Sequence, residues 1–123
     1  MILIIDFKEA DMLTQKCIGF AVAIVGLLRA AAVQANDSVF DIRVVQGRFE
    51  PTELIVPVDT SFQVRVTNSD PAAIEFESFE LHREQVVRPG ETITVYLPAL
   101  SPGKYPYFDD FHRDTPEGAI VAK

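Results

Sequence analysis

The stretch Ser61–Asn68, SFQVRVTN, alternates without a slip, with Phe62, Val64 and Val66 on one side and Gln63, Arg65 and Thr67 on the other. A two-residue period marks a strand that lays one face on a core and the other in water. The same pattern returns in Val39–Gln46, through Phe40, Ile42 and Val44, in Pro51–Val56, through Leu54 and Val56, and in Glu91–Leu97, through Ile93, Val95 and Leu97. Turn clusters separate these runs: Pro57-Val58-Asp59-Thr60, Asn68-Ser69-Asp70-Pro71 and Arg88-Pro89-Gly90. Six or seven short strands at a spacing of roughly 8–12 residues, with no long helical period, predict an all-β antiparallel sandwich. Phe49, just after the Gly47-Arg48 break, is expected to plug its core. With nine Phe and no Trp, that core rests on Phe, Val and Ile.

The N-terminal third breaks the strand pattern. Lys16 precedes an apolar run, Cys17–Leu28, and Val33-Gln34-Ala35 follows as a small-residue cleavage site. This arrangement predicts a cleaved signal peptide over residues 1–35 and one domain over 36–123. The run is shorter than the ~20 apolar residues a spanning helix needs, so no membrane span is expected after cleavage. Residues 1–11 make an acidic apolar lead unlike the start of such a signal, and Met12 is the expected true start. The sole cysteine, Cys17, lies within the apolar run, so the predicted domain is an exported, periplasmic one without a disulfide. A net charge of -7 and a pI near 4.7 argue against a nucleic-acid partner, since nothing would neutralise phosphates.

Chemistry gathers near the C-terminus. Gly103, Tyr105 and Tyr107 lead along an alternating strand into Asp109-Asp110-Phe111-His112, and Thr115-Pro116-Glu117-Gly118 turns the chain into a short apolar strand, Ala119–Ala122. Asp109, Asp110, His112 and Glu117 thus share one loop between two strands, where proteins place binding groups. The spacing Asp109-x-x-His112-x-x-x-x-Glu117 resembles the closing hairpin of the cupredoxin family, in which Cys-x-x-His-x-x-x-x-Met follows an aromatic strand. The resemblance implies a cupredoxin-like Greek-key β-sandwich across the strand region. It also implies that oxygens of Asp109 and Glu117 stand where that family has sulfurs, with His112 in its usual place.

The family's first His falls at Ile74-Glu75-Phe76, so Glu75, or Glu77 two residues on and opposite Phe76 in strand parity, is the expected replacement. The expected metal ligands are therefore Asp109, His112, Glu117, Glu77 and Glu75. Each also has an ordinary role open to it. Asp109 can cap its loop as an Asx-turn, Glu117 can serve the turn, and the two strand glutamates can simply face solvent. Asp110 is expected to point away from the ligand side, and His82 to be a surface residue.

Carboxylates with one imidazole suit iron or manganese, or Cu(II) and zinc, and disfavour Cu(I). Without a thiolate the cofactor, an iron or copper ion, is not held in a type 1 blue-copper site. The phrases Phe76-Glu77-Ser78-Phe79-Glu80, Glu84–Gly90 and Tyr107-Phe108-Asp109-Asp110-Phe111-His112 further resemble the periplasmic cupredoxin-like components of bacterial iron-uptake systems. That resemblance implies a metal-binding protein that assists ferrous iron uptake beside an inner-membrane iron permease and its periplasmic partner protein, with Fe(II) oxidation in concert with a partner as an implied activity. The alternatives are a copper-binding module and a metal-free structural or interaction module.

Overall fold

The structure is a computed structural model, and it describes residues 37–123. The predicted signal peptide, its cleavage site and the Met12 start lie outside these residues. Among the described residues, no helix is long and apolar enough to cross a membrane.

Nine strands run in order: β1 (Ser38–Val45), β2 (Arg48–Glu50), β3 (Glu53–Val56), β4 (Phe62–Asn68), β5 (Ile74–Ser78), β6 (Arg83–Val87), β7 (Thr92–Leu97), β8 (Gly103–Asp109) and β9 (Gly118–Ala122). They form two sheets, one ordered β2-β1-β4-β7 and the other β3-β9-β8-β5-β6. Two neighbouring pairs are parallel, β1 with β4 and β3 with β9, and the remaining pairs are antiparallel. The predicted all-β sandwich is thus the fold. The switch between sheets comes at Pro51, whose missing N–H ends the β2 ladder before β3 begins on the opposite side.

Alternation explains the core. Ile42, Val44, Phe62, Val64, Val66, Ile93, Val95 and Leu97 from one sheet are buried against Leu54, Val56, Ile74, Phe76, Tyr107 and Ile120 from the other. Full burial of such a side chain stabilises the fold by about 1.5–3 kcal/mol before entropy is counted. Phe49 is buried as expected and meets Tyr107 edge-on, with ring centroids 4.9 Å apart. Two elements exceed the sequence reading. The three-residue β2 is too short to show a period. In β6, REQVV, only Val87 is buried, because the strand lies at a sheet edge and has almost no inward face to mark it.

The hairpin of β8 and β9 is fixed by one close approach. A Cβ added to Gly118 would stand 2.3 Å from Cε2 of the fully buried Tyr107, so only glycine lets the two strands meet there. Among the described residues the buried Tyr107 hydroxyl has no hydrogen-bond partner, and burial pushes its pKa well above the ordinary phenol range, making it a weaker acid. This packing sets the exit of β8, where the candidate ligands begin.

Candidate metal centre

Strand parity sorts the carboxylates at the end of β8 into two environments. Tyr107 and Asp109 turn inward, while Phe108 and Asp110 turn to the outer face of the sheet. Pairing with β5 puts Phe76 opposite Asp109 and Glu77 opposite Phe108.

Asp109 is 4 % exposed and both of its carboxylate oxygens are hydrogen-bonded. Oδ1 accepts the N–H of Glu75 and the N–H of Phe111, each at 3.0 Å. Oδ2 lies 2.6 Å from Nδ1 of His112, whose own N–H reaches back to the Asp109 carbonyl at 3.1 Å. A carboxylate only accepts, so Nδ1 of His112 carries the hydrogen and the tautomer is fixed. The half-buried imidazole then has Nε2 left for other chemistry. The His112 carbonyl accepts from Thr115 twice, from its N–H at 3.0 Å and from Oγ1 at 2.7 Å. Asp109 therefore locks the loop to β5, as an Asx-turn does, and orients the imidazole. Beside the pair is a hollow of about 320 Å3, lined by Gly47, Pro71, Ile74 and Thr115 among others. Asp70, on its far wall, already accepts the N–H groups of Gln46 and Gly47, at 2.6 and 2.8 Å.

A different arrangement covers the outer face. One carboxylate oxygen each from Glu75, Glu77 and Asp110 lie within 4.8 Å of one another. Glu84 on β6 stands across from Glu77 in the strand register. Glu75 is only 9 % exposed. A proton shared with Glu84, then burial, then repulsion from Glu84, Asp110 and Glu77 push the Glu75 carboxyl up to about 7. Burial, followed by the Asp110 and Glu84 charges, also raises Glu77, against a small opposing effect of Arg113. Arg113 is the cation of this face. It sits 3.4 Å from Asp110 and lies over the Phe108 ring at 4.2 Å. Clustered carboxylates of raised basicity invite a cation, which removes their mutual repulsion.

The five expected ligands therefore fall in three places. Glu75 and Glu77 meet each other, and the third member of their group is Asp110. Asp109 and His112 meet each other on the inner side. Glu117 is exposed and lines a separate groove of about 290 Å3 with Phe79, Pro106, Phe108 and Arg113. Asp110, expected to point away from the ligand side, does turn away from Asp109 but joins Glu75 and Glu77, and Glu84 is a residue that the sequence reading did not name as a ligand. The parity that turns Asp109 inward turns Asp110 outward, to the side of Glu75 and Glu77. That signal becomes usable only once β5 and β8 are known to be neighbours. His82 is exposed in the β5–β6 turn, as expected.

Comparison with known proteins bears on this geometry. A family model described as a cupredoxin-like domain matches residues 17–122. An uncharacterised protein of Rickettsia prowazekii (strain Madrid E) is 33 % identical over 117 residues, covering 93 % of this chain and 94 % of the relative. Among solved structures, the metal-binding domain of the Cu(I)-exporting P-type ATPase of Streptococcus pneumoniae D39 is similar, with a TM-score of 0.64 at 10 % identity, covering 76 % of this chain and 92 % of that one. A reduced auracyanin from Roseiflexus castenholzii gives 0.59 at 12 %, covering 72 % and 99 %. A purple cupredoxin from Nitrosopumilus maritimus gives 0.54 at 19 %, covering 68 % and 99 %. At such identities the solved structures share the fold.

Proposed function

The chain belongs to the cupredoxin-like domain family, and from that premise we propose that it binds a hard metal cation in the periplasm and assists ferrous iron uptake at an inner-membrane permease. The observation that carries the reading is the convergence of Glu75, Glu77 and Asp110 oxygens within 4.8 Å, on a face where one of the three is nine-tenths buried. An all-oxygen set favours Fe(II), Fe(III) or Mn(II), tolerates Cu(II) and disfavours Cu(I). On this reading the donor set does not suit a type 1 copper centre, because the resemblance puts Asp109 where that family has its thiolate and the only cysteine in the sequence is Cys17. Support for iron over copper comes from this donor chemistry and from the phrases around Phe76–Glu80 and Tyr107–His112, which resemble iron-uptake components. The periplasmic partner protein of the permease is the proposed recipient of the cation. Oxidation of Fe(II) is the activity that kinship implies, and it would require an electron acceptor supplied by that partner.

The copper held by the similar metal-binding domain of the Cu(I)-exporting ATPase, together with one observation here, favours a second reading. His112 is held by Nδ1, so Nε2 is the atom that would bind Cu(II) at the mouth of the inner hollow.

Thermal melts separate the two. Mn(II), anaerobic Fe(II) or Cu(II), at a hundredfold excess over its Kd, should stabilise the protein by about 2.7 kcal/mol. The double variant Glu75→Gln/Glu77→Gln should lose that gain while His112→Ala keeps it. The opposite result would move the metal to His112. Cells carrying the double variant should grow poorly on limiting ferrous iron with the protein still abundant. Normal growth would remove the carboxylates from iron uptake.

A further inference from the structure

The outer face of β5, β6 and β8 carries more than the carboxylates. Its rows read across the strand register as Val86 beside Glu75, and Glu84 beside Glu77 beside Phe108. Phe108 is an outward residue, yet it is buried, because Phe79 from the β5–β6 turn stacks on it at 5.2 Å and Arg113 lies over it at 4.2 Å. Phe79 itself is 61 % exposed. An aromatic-floored groove of about 290 Å3 therefore opens beside an acidic patch. That volume lies at the lower end of the roughly 300–1,000 Å3 that whole small-molecule sites span, so it seats a single large side chain.

The charge on this face is one-sided. Residues 37–123 contain eight Lys or Arg and fifteen Asp or Glu, so the whole net charge of -7 falls on the described domain. Glu75, Glu77, Glu84 and Asp110 share this face with Arg113, which is already beside Asp110. Such a surface repels phosphate and anionic lipid, and it repels the same face of a second copy. It complements a basic segment.

We propose that this face docks a basic segment of a partner protein, with a Lys or Arg side chain on the Glu75, Glu77 and Asp110 carboxylates and a neighbouring apolar side chain in the groove of Phe79 and Phe108. The inference rests on the reading of these carboxylates as a cation seat. An ammonium or guanidinium that enters the seat displaces a metal cation held there, and by linkage each weakens the other by the same factor. Docking then delivers the metal at the moment of contact.

The probe is a short synthetic peptide in which Lys and Arg flank a single Phe, with a Glu-for-Lys peptide as control and Mn(II) as the cation. The purified protein should bind the basic peptide at least about tenfold more tightly at low than at high salt, and should not bind the control. Mn(II) and the peptide should compete. Phe79→Ala should weaken the peptide about tenfold and leave Mn(II) affinity unchanged, while Glu77→Gln should weaken both. Equal binding of the acidic peptide, or peptide binding indifferent to Phe79→Ala, would overturn the docking face. If Mn(II) fails to bind but the peptide binds with the predicted salt and Phe79 dependence, the docking face stands and the cation reading falls.

Discussion

Asp109 and Asp110 are adjacent in the chain and opposite in circumstance. Asp109 faces inward and receives two backbone N–H groups and an imidazole. Asp110 faces outward into a group with Glu75 and Glu77, where its own cation, Arg113, is 3.4 Å away. A carboxylate surrounded by donors is satisfied and serves as a structural tie. A carboxylate surrounded by carboxylates is held at an electrostatic cost that a bound cation would remove. One fold thus places carboxylates in two opposite circumstances on the two sides of a single strand end. The outer group is the better candidate for function, because the mutual repulsion of its carboxylates is what a bound cation would relieve.

That contrast is broken most forcefully at Asp109. Asp109→Ala leaves the buried N–H of Glu75 and the part-buried N–H of Phe111 without their acceptor and should lower stability by about 3 kcal/mol in urea unfolding. Asp110→Ala should stay within about 0.5 kcal/mol of the parent. Equal losses for the two would mean that the inner carboxylate is no more of a tie than the outer one.

The pH profile sharpens the other side. The Glu75 carboxyl titrates near 4.5 in the unfolded chain and is pushed up to about 7 in the folded one. The folded state therefore holds the extra proton, and stability falls as pH rises from about 4.5 to about 7. Melting temperatures of the metal-free protein, taken across that window, should show the decline, and Glu75→Gln should flatten it. A parent profile as flat as that of the variant would show that Glu75 is not held protonated by its neighbours.

A smaller loss than at Asp109 is expected at His112. His112→Ala removes one of three partners of Asp109 and leaves both N–H bonds, so the loss should be about 1 kcal/mol by the same unfolding measurement. A loss as large as that of Asp109→Ala would assign the tie to the imidazole rather than to the backbone donors.

The sandwich was legible in the sequence wherever a strand had one wet face and one dry one. The runs around Phe62–Val66 and Ile93–Leu97 declare themselves by period alone, and their inward residues are the buried ones. The edge strand β6 was not legible, because with Gln85 and Val86 both exposed it lacks that contrast. Among the candidate ligands, the sequence singled out Glu75 and Glu77 as a pair on one face, and the structure brings them together. The sequence reading grouped Asp109 with them and set Asp110 apart, whereas strand order puts Asp110 on their face.

Local chemistry, then, determined much by itself. Alternation set the strands and their faces, the turn clusters set the chain reversals, and the absence of cysteine from residues 36–123 ruled out a thiolate ligand there. Tertiary structure alone decided the neighbours. Strand parity assigns a side chain to one face or the other, but which faces adjoin depends on strand order, and β5 lies between β6 and β8 only because the whole sheet closes that way. Carboxylates separated by thirty-odd positions in sequence, Glu75 and Asp110, come within 4.8 Å through that order. The physical reason is range: a two-residue period is a property of one strand's backbone, whereas hydrogen-bonded pairing joins strands that the sequence keeps far apart.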